Sequence, residues 1–173
     1  MISETMESHK KDSPSDIKCG IITLSDSLKE KGNEGIEEDL SGQYLFERLS
    51  EKYEVSAYVL IADESDKLIQ AISNMNSKGI DVIFTTGGTG LESRDITIET
   101  LVPRFDKVIL GFGEEFRRKS FEKLGSGALL SRSTAGIYNK TIIFALPGSP
   151  NAVEMGLNLI YPEIGHLVKH ARK

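Results

Sequence analysis

Short apolar runs alternate with amphipathic stretches from residue 17 onward, and this alternation limits the possible folds more than any other feature of the sequence. Residues 18–24, 55–61 and 81–86 predict strands because they are short, apolar and bounded by polar or turn residues. Between them, apolar residues recur at helical spacing over residues 40–52 and over residues 68–79. The resulting order of strand, helix, strand, helix, strand is typical of a parallel sheet with helices on both faces.

The segments around these elements follow different patterns. Residues 25–35 are polar and contain glycine, so we expect a loop there. Helical spacing returns over residues 96–101 and 114–124. Two further apolar runs, residues 135–138 and 141–145, flank a plausible tight turn and predict a hairpin.

The last part of the sequence predicts two more helices. Ser149 and Pro150 are residue types favoured at an N-cap and at a first helical position, so a helix is expected to follow them. Pro162 interrupts that helix, and a short final helix follows. The predicted fold class is α/β: a three-layer α/β/α sandwich with a mostly parallel sheet and a C-terminal antiparallel addition.

Length and composition restrict the protein to a few classes. A chain of 173 residues is long enough for one domain, which we expect over residues 17–173 after a flexible polar tail of residues 1–16. A net charge of −5 argues against a nucleic-acid partner that binds through a basic face. The single cysteine rules out an internal disulfide, and no apolar run approaches the roughly 20 residues that span a membrane. We expect a cytoplasmic protein without membrane partners.

The strongest functional signal is a glycine-rich segment directly after the third predicted strand. It reads Thr85-Thr86-Gly87-Gly88-Thr89-Gly90. Glycines at the end of a strand let backbone N–H groups approach an anion, and threonine hydroxyls add further donors. The spacing matches neither the dinucleotide fingerprint nor the P-loop, so the hypotheses are a phosphate-binding loop or a simple tight turn.

Charged residues follow this segment and also end the first two predicted strands. Arg94 and Asp95 are close enough in sequence to face the same ligand as the glycine loop. Asp95 is suited to holding Mg²⁺ or to accepting hydrogen bonds from a ring, and equally to capping a helix that starts at Ile96. Asp26 and Asp63 follow the first and second strands, so all three aspartates are expected at one edge of the sheet. Such an arrangement is common in metal-assisted phosphoryl or nucleotidyl transfer.

The combination of these motifs resembles the molybdopterin-binding family, which includes the MogA and MoaB proteins and the gephyrin G domain. The resemblance rests on the glycine loop, on Arg94-Asp95 and Thr97, and on three further segments. These are Thr23-Leu24-Ser25-Asp26-Ser27, Ser131-Arg132-Ser133-Thr134-Ala135-Gly136-Ile137 and Leu146-Pro147-Gly148-Ser149-Pro150-Asn151-Ala152-Val153-Glu154. It extends from residue 17 to the last predicted helix.

The resemblance implies a molybdopterin adenylyltransferase of molybdenum or tungsten cofactor biosynthesis. Such an enzyme transfers AMP from Mg-ATP to the phosphate of molybdopterin and releases pyrophosphate. Asp63 and Asp95 would then be catalytic and hold Mg²⁺. The molybdopterin-binding residues would be Thr86, Gly87, Gly88, Thr89, Gly90, Arg94 and Asp95. The residues on the nucleotide side would be Ser25, Asp26, Pro147, Gly148 and Ser149.

Several alternatives remain open from the sequence. One is a catalytically silent molybdopterin-binding paralogue that acts as a carrier or regulator; others are a scaffold domain and an unrelated nucleotide-binding protein. The resemblance also implies a homotrimer, with a hexamer as the alternative. His166 and His170 are four residues apart, but no further ligand cluster accompanies them, so solvent-facing histidines near a helix C-terminus are expected.

Overall fold

Residues 14–173, which the computed structural model describes, contain one mixed six-stranded sheet. The strands are β1 (Lys18–Leu24), β2 (Glu54–Ile61), β3 (Val82–Thr86), β4 (Lys107–Val108), β5 (Thr134–Tyr138) and β6 (Thr141–Leu146). Their order across the sheet is β2-β1-β3-β6-β5-β4. The four strands β2, β1, β3 and β6 are parallel, whereas β5 pairs antiparallel with both β6 and β4. The mostly parallel sheet with an antiparallel addition is therefore confirmed.

Helices cover both faces of this sheet. They are α1 (Asp26–Glu30), α2 (Asn33–Glu38), α3 (Leu40–Ser50), α4 (Ser65–Ser77), α5 (Thr97–Leu101), α6 (Leu110–Leu124), α7 (Pro150–Ile160) and α8 (Ile164–Ala171). Short 3₁₀ turns span Val102–Arg104, Gly125–Leu130 and Tyr161–Glu163. Apolar side chains of α3, α6, α7 and α8 pack on one face, and those of α4 and α5 pack on the other. This is the predicted three-layer sandwich.

The central strands are rich in apolar residues because both of their faces are buried. In β1, Cys19 and Ile21 belong to the cluster under α3 and α7, whereas Ile22 and Leu24 belong to the cluster under α4. All five residues of β3 and all six of β6 are buried. Strands with two buried faces lose the alternation of apolar and polar residues, which explains the continuous runs in the sequence.

The structure corrects several predicted boundaries. The loop expected over residues 25–35 instead contains α1 and the start of α2, whose side chains bury no apolar stripe and so leave no helical periodicity. Helix α6 begins at Leu110, four residues before the predicted start. The sequence did not indicate this first turn because it contains Gly111 and Gly113, and glycine is a poor helix former. Gly113 packs there so closely that an added Cβ would stand 2.8 Å from the Ser133 carbonyl oxygen.

The turn between β5 and β6 has the conformation that its two residues suggested. Asn139 and Lys140 both have positive φ, 46° and 67°. Two consecutive left-handed residues are typical of a type I′ hairpin turn, whose twist matches that of the flanking strands. The predicted hairpin thus supplies the antiparallel part of the sheet.

Both ends of the described chain lie at the amino-terminal edge of the parallel strands. Ile17, just before β1, is 1% exposed, and Asp16 accepts hydrogen bonds from Arg172 after α8. Residues 1–13 of the expected tail lie outside the described residues. Among residues 14–173, no helix combines the length and the apolar content that crossing a bilayer requires.

Candidate functional site

The strand order identifies the edge of the sheet at which a ligand is expected. Strand β1 lies between β2 and β3, and the helices that precede those two strands, α3 and α4, pack on opposite faces. Ligands of open α/β sheets bind outside the carboxyl ends of the strands, where the strand order reverses. Here that position is flanked by Ser25-Asp26 after β1 and by the glycine loop after β3.

An open cleft of about 460 Å³ lies at this position, and we call it the acidic cleft. Its polar lining consists mainly of Ser25, Asp26, Glu30, Asp63, Arg94 and Asp95, with Gly88 of the glycine loop beside them. The three aspartates that the sequence placed at one edge of the sheet therefore share one cleft. Arg94 is the cation among these carboxylates.

Asp26 and Asp63 hold each other through reciprocal hydrogen bonds. The Asp26 backbone N–H donates to Asp63 Oδ2 at 3.1 Å, and the Asp63 backbone N–H donates to Asp26 Oδ1 at 2.9 Å. These bonds tie the residues after β1 to those after β2. Arg94 completes the group, because its Nη2 lies 2.5 Å from Asp26 Oδ2 and 3.5 Å from Asp63 Oδ2.

Asp63 is the least exposed carboxylate of this group. Its side chain is 10% exposed, against 44% for Asp26. Burial raises the pKa of Asp63, and the nearby Asp26 charge raises it further, whereas the Asp26 N–H and the Arg94 guanidinium lower it. The guanidinium therefore helps to keep a poorly solvated carboxylate ionised.

The glycine loop requires its glycines at two positions of positive φ. Gly87 has a φ of +97°, and a Cβ there would stand 2.2 Å from the Leu24 carbonyl oxygen. Gly88 has a φ of +61°, and a Cβ there would stand 2.6 Å from Thr97 Oγ1 and 3.2 Å from Asp63 Oδ1. Side chains at these positions would push the loop away from β1 and fill the acidic cleft.

The remaining loop residues are held by the surrounding elements. Thr86 Oγ1 donates to the Pro147 carbonyl oxygen at 3.1 Å, and Thr97 Oγ1 donates to the Gly87 carbonyl oxygen at 2.8 Å. Thr89 is buried, and its carbonyl oxygen accepts a hydrogen bond from Arg132 Nε at 2.9 Å. These bonds fix the loop from both sides and leave Gly88 at the cleft.

Asp95 closes the turn that follows the glycine loop. Its Oδ2 accepts a hydrogen bond from the Glu92 backbone N–H at 2.8 Å and would lie 2.4 Å from a Cβ on Gly90. The alternative that Asp95 caps a helix starting at Ile96 is wrong. Helix α5 starts at Thr97, and its N-cap position is Ile96, which provides no side-chain cap.

A second cleft lies between α6 and α7, and we call it the α6–α7 cleft. Pro147 and Ser149 line it together with Ser120, Lys123, Ser131 and Asn151. Gly148 packs against the glycine loop, because a Cβ there would meet the Gly87 Cα at 3.4 Å. Ser149 occupies the N-cap position of α7, but its side chain accepts no hydrogen bond from the first turn.

The predicted nucleotide-binding residues do not all line the same cleft. Ser25 and Asp26 were expected beside Pro147 and Ser149, yet they line the acidic cleft with Arg94 and Asp95. Ser25 also caps α1, since its Oγ accepts a hydrogen bond from the Leu28 N–H. The two clefts share no lining residue.

Sequence reasoning missed the residues that position these loops. The buried Asp39 accepts hydrogen bonds from the Gly42 N–H at 2.9 Å and from the Tyr58 hydroxyl at 2.6 Å, which fixes the start of α3. Ser41 Oγ then donates to the Gly148 carbonyl oxygen at 2.8 Å. Ser41 and Gly148 are 107 positions apart, so no local pattern connects them. The one signal in the sequence is the Asp-Leu-Ser-Gly segment at residues 39–42, which has a helix-capping residue type before the apolar residues of α3.

Arg132 is the other positioning residue that sequence reasoning did not assign. Besides its bond to Thr89, its guanidinium pairs with both carboxylate oxygens of Glu99 on α5, at 2.7 and 3.0 Å. Hydrogen bonding to Arg132 lowers the pKa of Glu99. Arg132 thus joins the glycine loop to α5.

Within residues 14–173, no three His, Cys, Asp or Glu side chains converge as a ready-made metal site.

Comparison with known proteins agrees with this geometry. The sequence profile of a family described as "probable molybdopterin binding domain" matches residues 20–166. The chain belongs to this molybdopterin-binding family. The matched range contains every residue of the acidic cleft, the glycine loop and the Pro147–Ser149 turn.

Relatives in this molybdopterin-binding family align over nearly the whole chain. A molybdopterin adenylyltransferase of Pyrococcus furiosus is 45% identical over 97% of this chain and 99% of its own length. Molybdenum cofactor biosynthesis protein B of Bacillus cereus is 41% identical over 92% of this chain and 93% of its own length. The crystal structure of the tungsten cofactor synthesizing protein MoaB from Pyrococcus furiosus superposes with a TM-score of 0.84 at 44% identity, covering 93% of this chain and 100% of that one.

Proposed function

We propose that this protein is a molybdopterin adenylyltransferase of molybdenum or tungsten cofactor biosynthesis. A phosphate oxygen of molybdopterin attacks the α-phosphorus of ATP, the bond between the α- and β-phosphates breaks, and pyrophosphate leaves. The observation that carries the proposal is the acidic cleft, in which Arg94 and three aspartates meet the glycine loop at the reversal of strand order. The 45% identical relative with this activity supports the choice of substrates.

The pterin would bind at the glycine loop. The residues would be Thr86, Gly87, Gly88, Thr89 and Gly90, in which the glycines have no side chains and both threonines are buried. Arg94 and Asp95 would supply a cation and a hydrogen-bond acceptor. Gly88 packs against Thr97 and Asp63, so a ligand that reaches the Asp63 carboxylate would also lie beside the loop backbone. Arg94 is 55% exposed, so its guanidinium can turn from Asp26 towards a ligand phosphate.

The nucleotide would extend over the glycine loop towards the turn formed by Pro147, Gly148 and Ser149. This turn leads into α7, an eleven-residue helix whose first N–H groups and partial positive charge suit phosphate oxygens. Pro150 has no N–H, and those of Ala152 and Val153 donate to the Ser149 carbonyl oxygen at 3.0 Å. Ser149 provides no side-chain cap, so the Asn151 N–H would be the donor to a phosphate there. Ser25 and Asp26 would face the same nucleotide from the acidic cleft.

Asp63 and Asp95 would hold Mg²⁺ together with phosphate oxygens. Asp63 uses Oδ2 for the Asp26 N–H and Arg94, while its Oδ1 faces Gly88. Mg²⁺ is commonly bound by one or two carboxylates together with substrate phosphates, and this donor set fits that preference. When bound, Mg²⁺ supplies positive charge to the ATP phosphates.

The residues of the chain would act by positioning and by charge. Both reactants are anions, so the site must hold two phosphates in line and offset their repulsion. Arg94 contributes positive charge, and backbone N–H groups of the loop and of α7 contribute dipoles. No covalent enzyme intermediate is required, which agrees with the use of the Ser25 hydroxyl as a helix cap.

A homotrimer, with a hexamer as the alternative, would cover the apolar surface of α6 and the 3₁₀ turn after it. Leu110, Phe121, Leu124, Leu129 and Leu130 are each 58% exposed or more. Large exposed apolar side chains such as these are suited to a subunit interface. The oligomeric state and the cytoplasmic location stay predictions, which sedimentation and cell fractionation would check.

The test is pyrophosphate release from Mg-ATP, measured with and without molybdopterin on the wild type and on Asp63→Asn. We expect pterin-dependent release that falls by about 100-fold or more in the variant, because the substitution neutralises one of the two carboxylates that would hold Mg²⁺ beside the reacting phosphates. Asp66→Asn is the matched control, since Asp66 is an exposed carboxylate on α4 three positions away. Molybdopterin binding and circular dichroism report whether each variant stays folded.

Two outcomes would contradict the proposal. If the wild type binds molybdopterin but releases no pyrophosphate, the protein is the catalytically silent paralogue, a carrier or regulator. If pyrophosphate release does not depend on molybdopterin, it is another nucleotide-binding protein on the same fold.

A further inference from the structure

The α6–α7 cleft is lined by polar side chains whose hydrogen-bonding groups are unused. Its volume is about 390 Å³, and its polar lining consists of Ser120, Lys123, Ser131, Ser149 and Asn151. Within residues 14–173, none of these five side chains forms a hydrogen bond or an ion pair with another residue. Donors that line a cleft without protein partners are available to a ligand.

Ser120 is the most informative of these side chains because it is buried. It is 1% exposed, yet its hydroxyl has no partner among the described residues. Phe116 lies one turn earlier on the same side of α6 and is fully buried, so packing fixes this side of the helix. A buried hydroxyl without a partner costs free energy, and a ligand in the cleft would recover that cost.

The charge of the α6–α7 cleft is opposite to that of the acidic cleft. Lys123 is the one charged residue among those that line it, whereas four carboxylates and Arg94 line the acidic cleft. Lys119, one turn before Lys123, lies 3.4 Å from Glu122, but Lys123 has no carboxylate partner among the described residues. The Asn151 N–H and the positive end of the α7 dipole add to this field. The cleft is therefore suited to an anion.

We propose that the α6–α7 cleft binds the β- and γ-phosphates of ATP, which leave together as pyrophosphate. This inference rests on the proposed adenylyltransferase function. The cleft adjoins the glycine loop, because Gly148 of the turn that lines it packs against Gly87. A nucleotide whose α-phosphate lies at this contact would place its terminal phosphates beside Lys123 and Ser120.

The two clefts would then act on opposite ends of the bond that breaks. As the bond between the α- and β-phosphates breaks, its electron pair and the negative charge pass to the pyrophosphate. A cation and a helix dipole beside the leaving group stabilise that charge, whereas the carboxylates of the acidic cleft would repel it. Lys123 and Ser120 are therefore binding residues for the leaving group.

The test is a calorimetric titration of the full chain with sodium pyrophosphate in the absence of Mg²⁺. We expect one site per chain. Lys123→Ala should weaken binding by about tenfold or more, and Ser120→Ala by about threefold to tenfold, because each substitution removes a donor to a charged ligand. Lys119→Ala is the matched control, since it removes the same charge from α6 one turn away and should keep the wild-type affinity.

Two further readouts separate a binding role from a structural one. Ser120→Ala should keep or raise the melting temperature, because the hydroxyl that it removes has no protein partner. AMP lacks the leaving phosphates, so its affinity should be equal in the wild type and in Lys123→Ala.

The proposal is overturned if the wild type and both cleft variants bind pyrophosphate equally, or if Lys123→Ala weakens AMP instead. A lower melting temperature in Ser120→Ala with unchanged pyrophosphate affinity would also overturn the role of Ser120. These titrations need neither molybdopterin nor turnover. If Lys123→Ala loses pyrophosphate but the wild type releases none from ATP, the pyrophosphate site stands and only the proposed adenylyl transfer fails.

Discussion

At the scale of single residues, the acidic cleft depends on how three charges balance. Asp26 and Asp63 are held together by their own backbone N–H groups, so the two carboxylates cannot separate to reduce their repulsion. Arg94 is the cation that offsets this repulsion in the structure. A divalent cation that enters the cleft must compete with Arg94 for the two aspartates. A substrate phosphate must compete with the aspartates for Arg94.

Removing Arg94 should therefore strengthen metal binding while weakening catalysis. In Arg94→Ala, we expect the substrate-free protein to bind Mn²⁺, a probe for Mg²⁺, up to about fivefold more tightly, since an exposed ion pair contributes up to about 1 kcal/mol. Pyrophosphate release should fall because the cation for the substrate phosphate is lost. Mn²⁺ binding is measured by electron paramagnetic resonance, with Arg117→Ala, an exposed arginine on α6, as the control. Unchanged or weaker Mn²⁺ binding in Arg94→Ala would show that the guanidinium does not compete with metal.

At the scale of elements, α3 positions a loop that is distant in sequence. The Asp39 carboxylate and the Tyr58 hydroxyl fix the first turn of α3, and Ser41 then holds the carbonyl of Gly148. Helix α7 starts two residues after that glycine. The helix that packs on β1 therefore also sets where the N-terminus of α7 points.

Ser41→Ala should affect ATP more than molybdopterin. Loss of one hydrogen bond of about 0.5–1.5 kcal/mol frees the Gly148 turn, so the KM for ATP should rise roughly twofold to tenfold with a smaller change in kcat. Ser41→Thr keeps the hydroxyl and should retain the wild-type KM. Ser50→Ala, at the exposed end of α3, is the control. A lower unfolding temperature with an unchanged KM would mean that Ser41 is only structural.

The sequence predicted these elements to the extent that burial leaves a local pattern. Strands with two buried faces and helices with an apolar stripe were found, and the aspartates at strand ends were correctly placed on one edge. Helices α1 and α2 escaped because few of their residues are buried. The roles of Ser41 and Arg132 escaped because each bonds to a backbone oxygen at least 43 positions away, and such contacts leave no spacing to detect.

At the scale of the whole molecule, Arg172 joins three parts of the chain that are distant in sequence. Its guanidinium forms two bonds to Asp81 ahead of β3, at 2.8 and 3.0 Å, and two to Asp16 ahead of β1. The Asp81 side chain is 12% exposed and also accepts a hydrogen bond from the Lys18 N–H. The C-terminal residues thereby hold the start of the two central strands.

Arg172→Ala should lower stability without changing the chemistry. We expect a loss of about 1–2 kcal/mol, since the substitution leaves a poorly solvated carboxylate without its cation. The melting temperature should fall by about 2–8 °C, while pyrophosphate release per folded chain stays the same. Arg172→Lys should lie between the two because it keeps the charge but loses the planar fork, and Lys173→Ala is the neutral control. A change in the KM for ATP would contradict the separation of the two edges.

This separation has a practical consequence for handling the protein. The described chain enters and leaves the domain at one edge of the sheet, and strands of up to eight residues put the acidic cleft roughly 20 Å away at the other edge. An affinity tag, a dye or a second enzyme fused through a linker after Lys173 would extend away from the mouth of the cleft. The protein can therefore be immobilised on a sensor by its C-terminal residue with its cleft facing the solution.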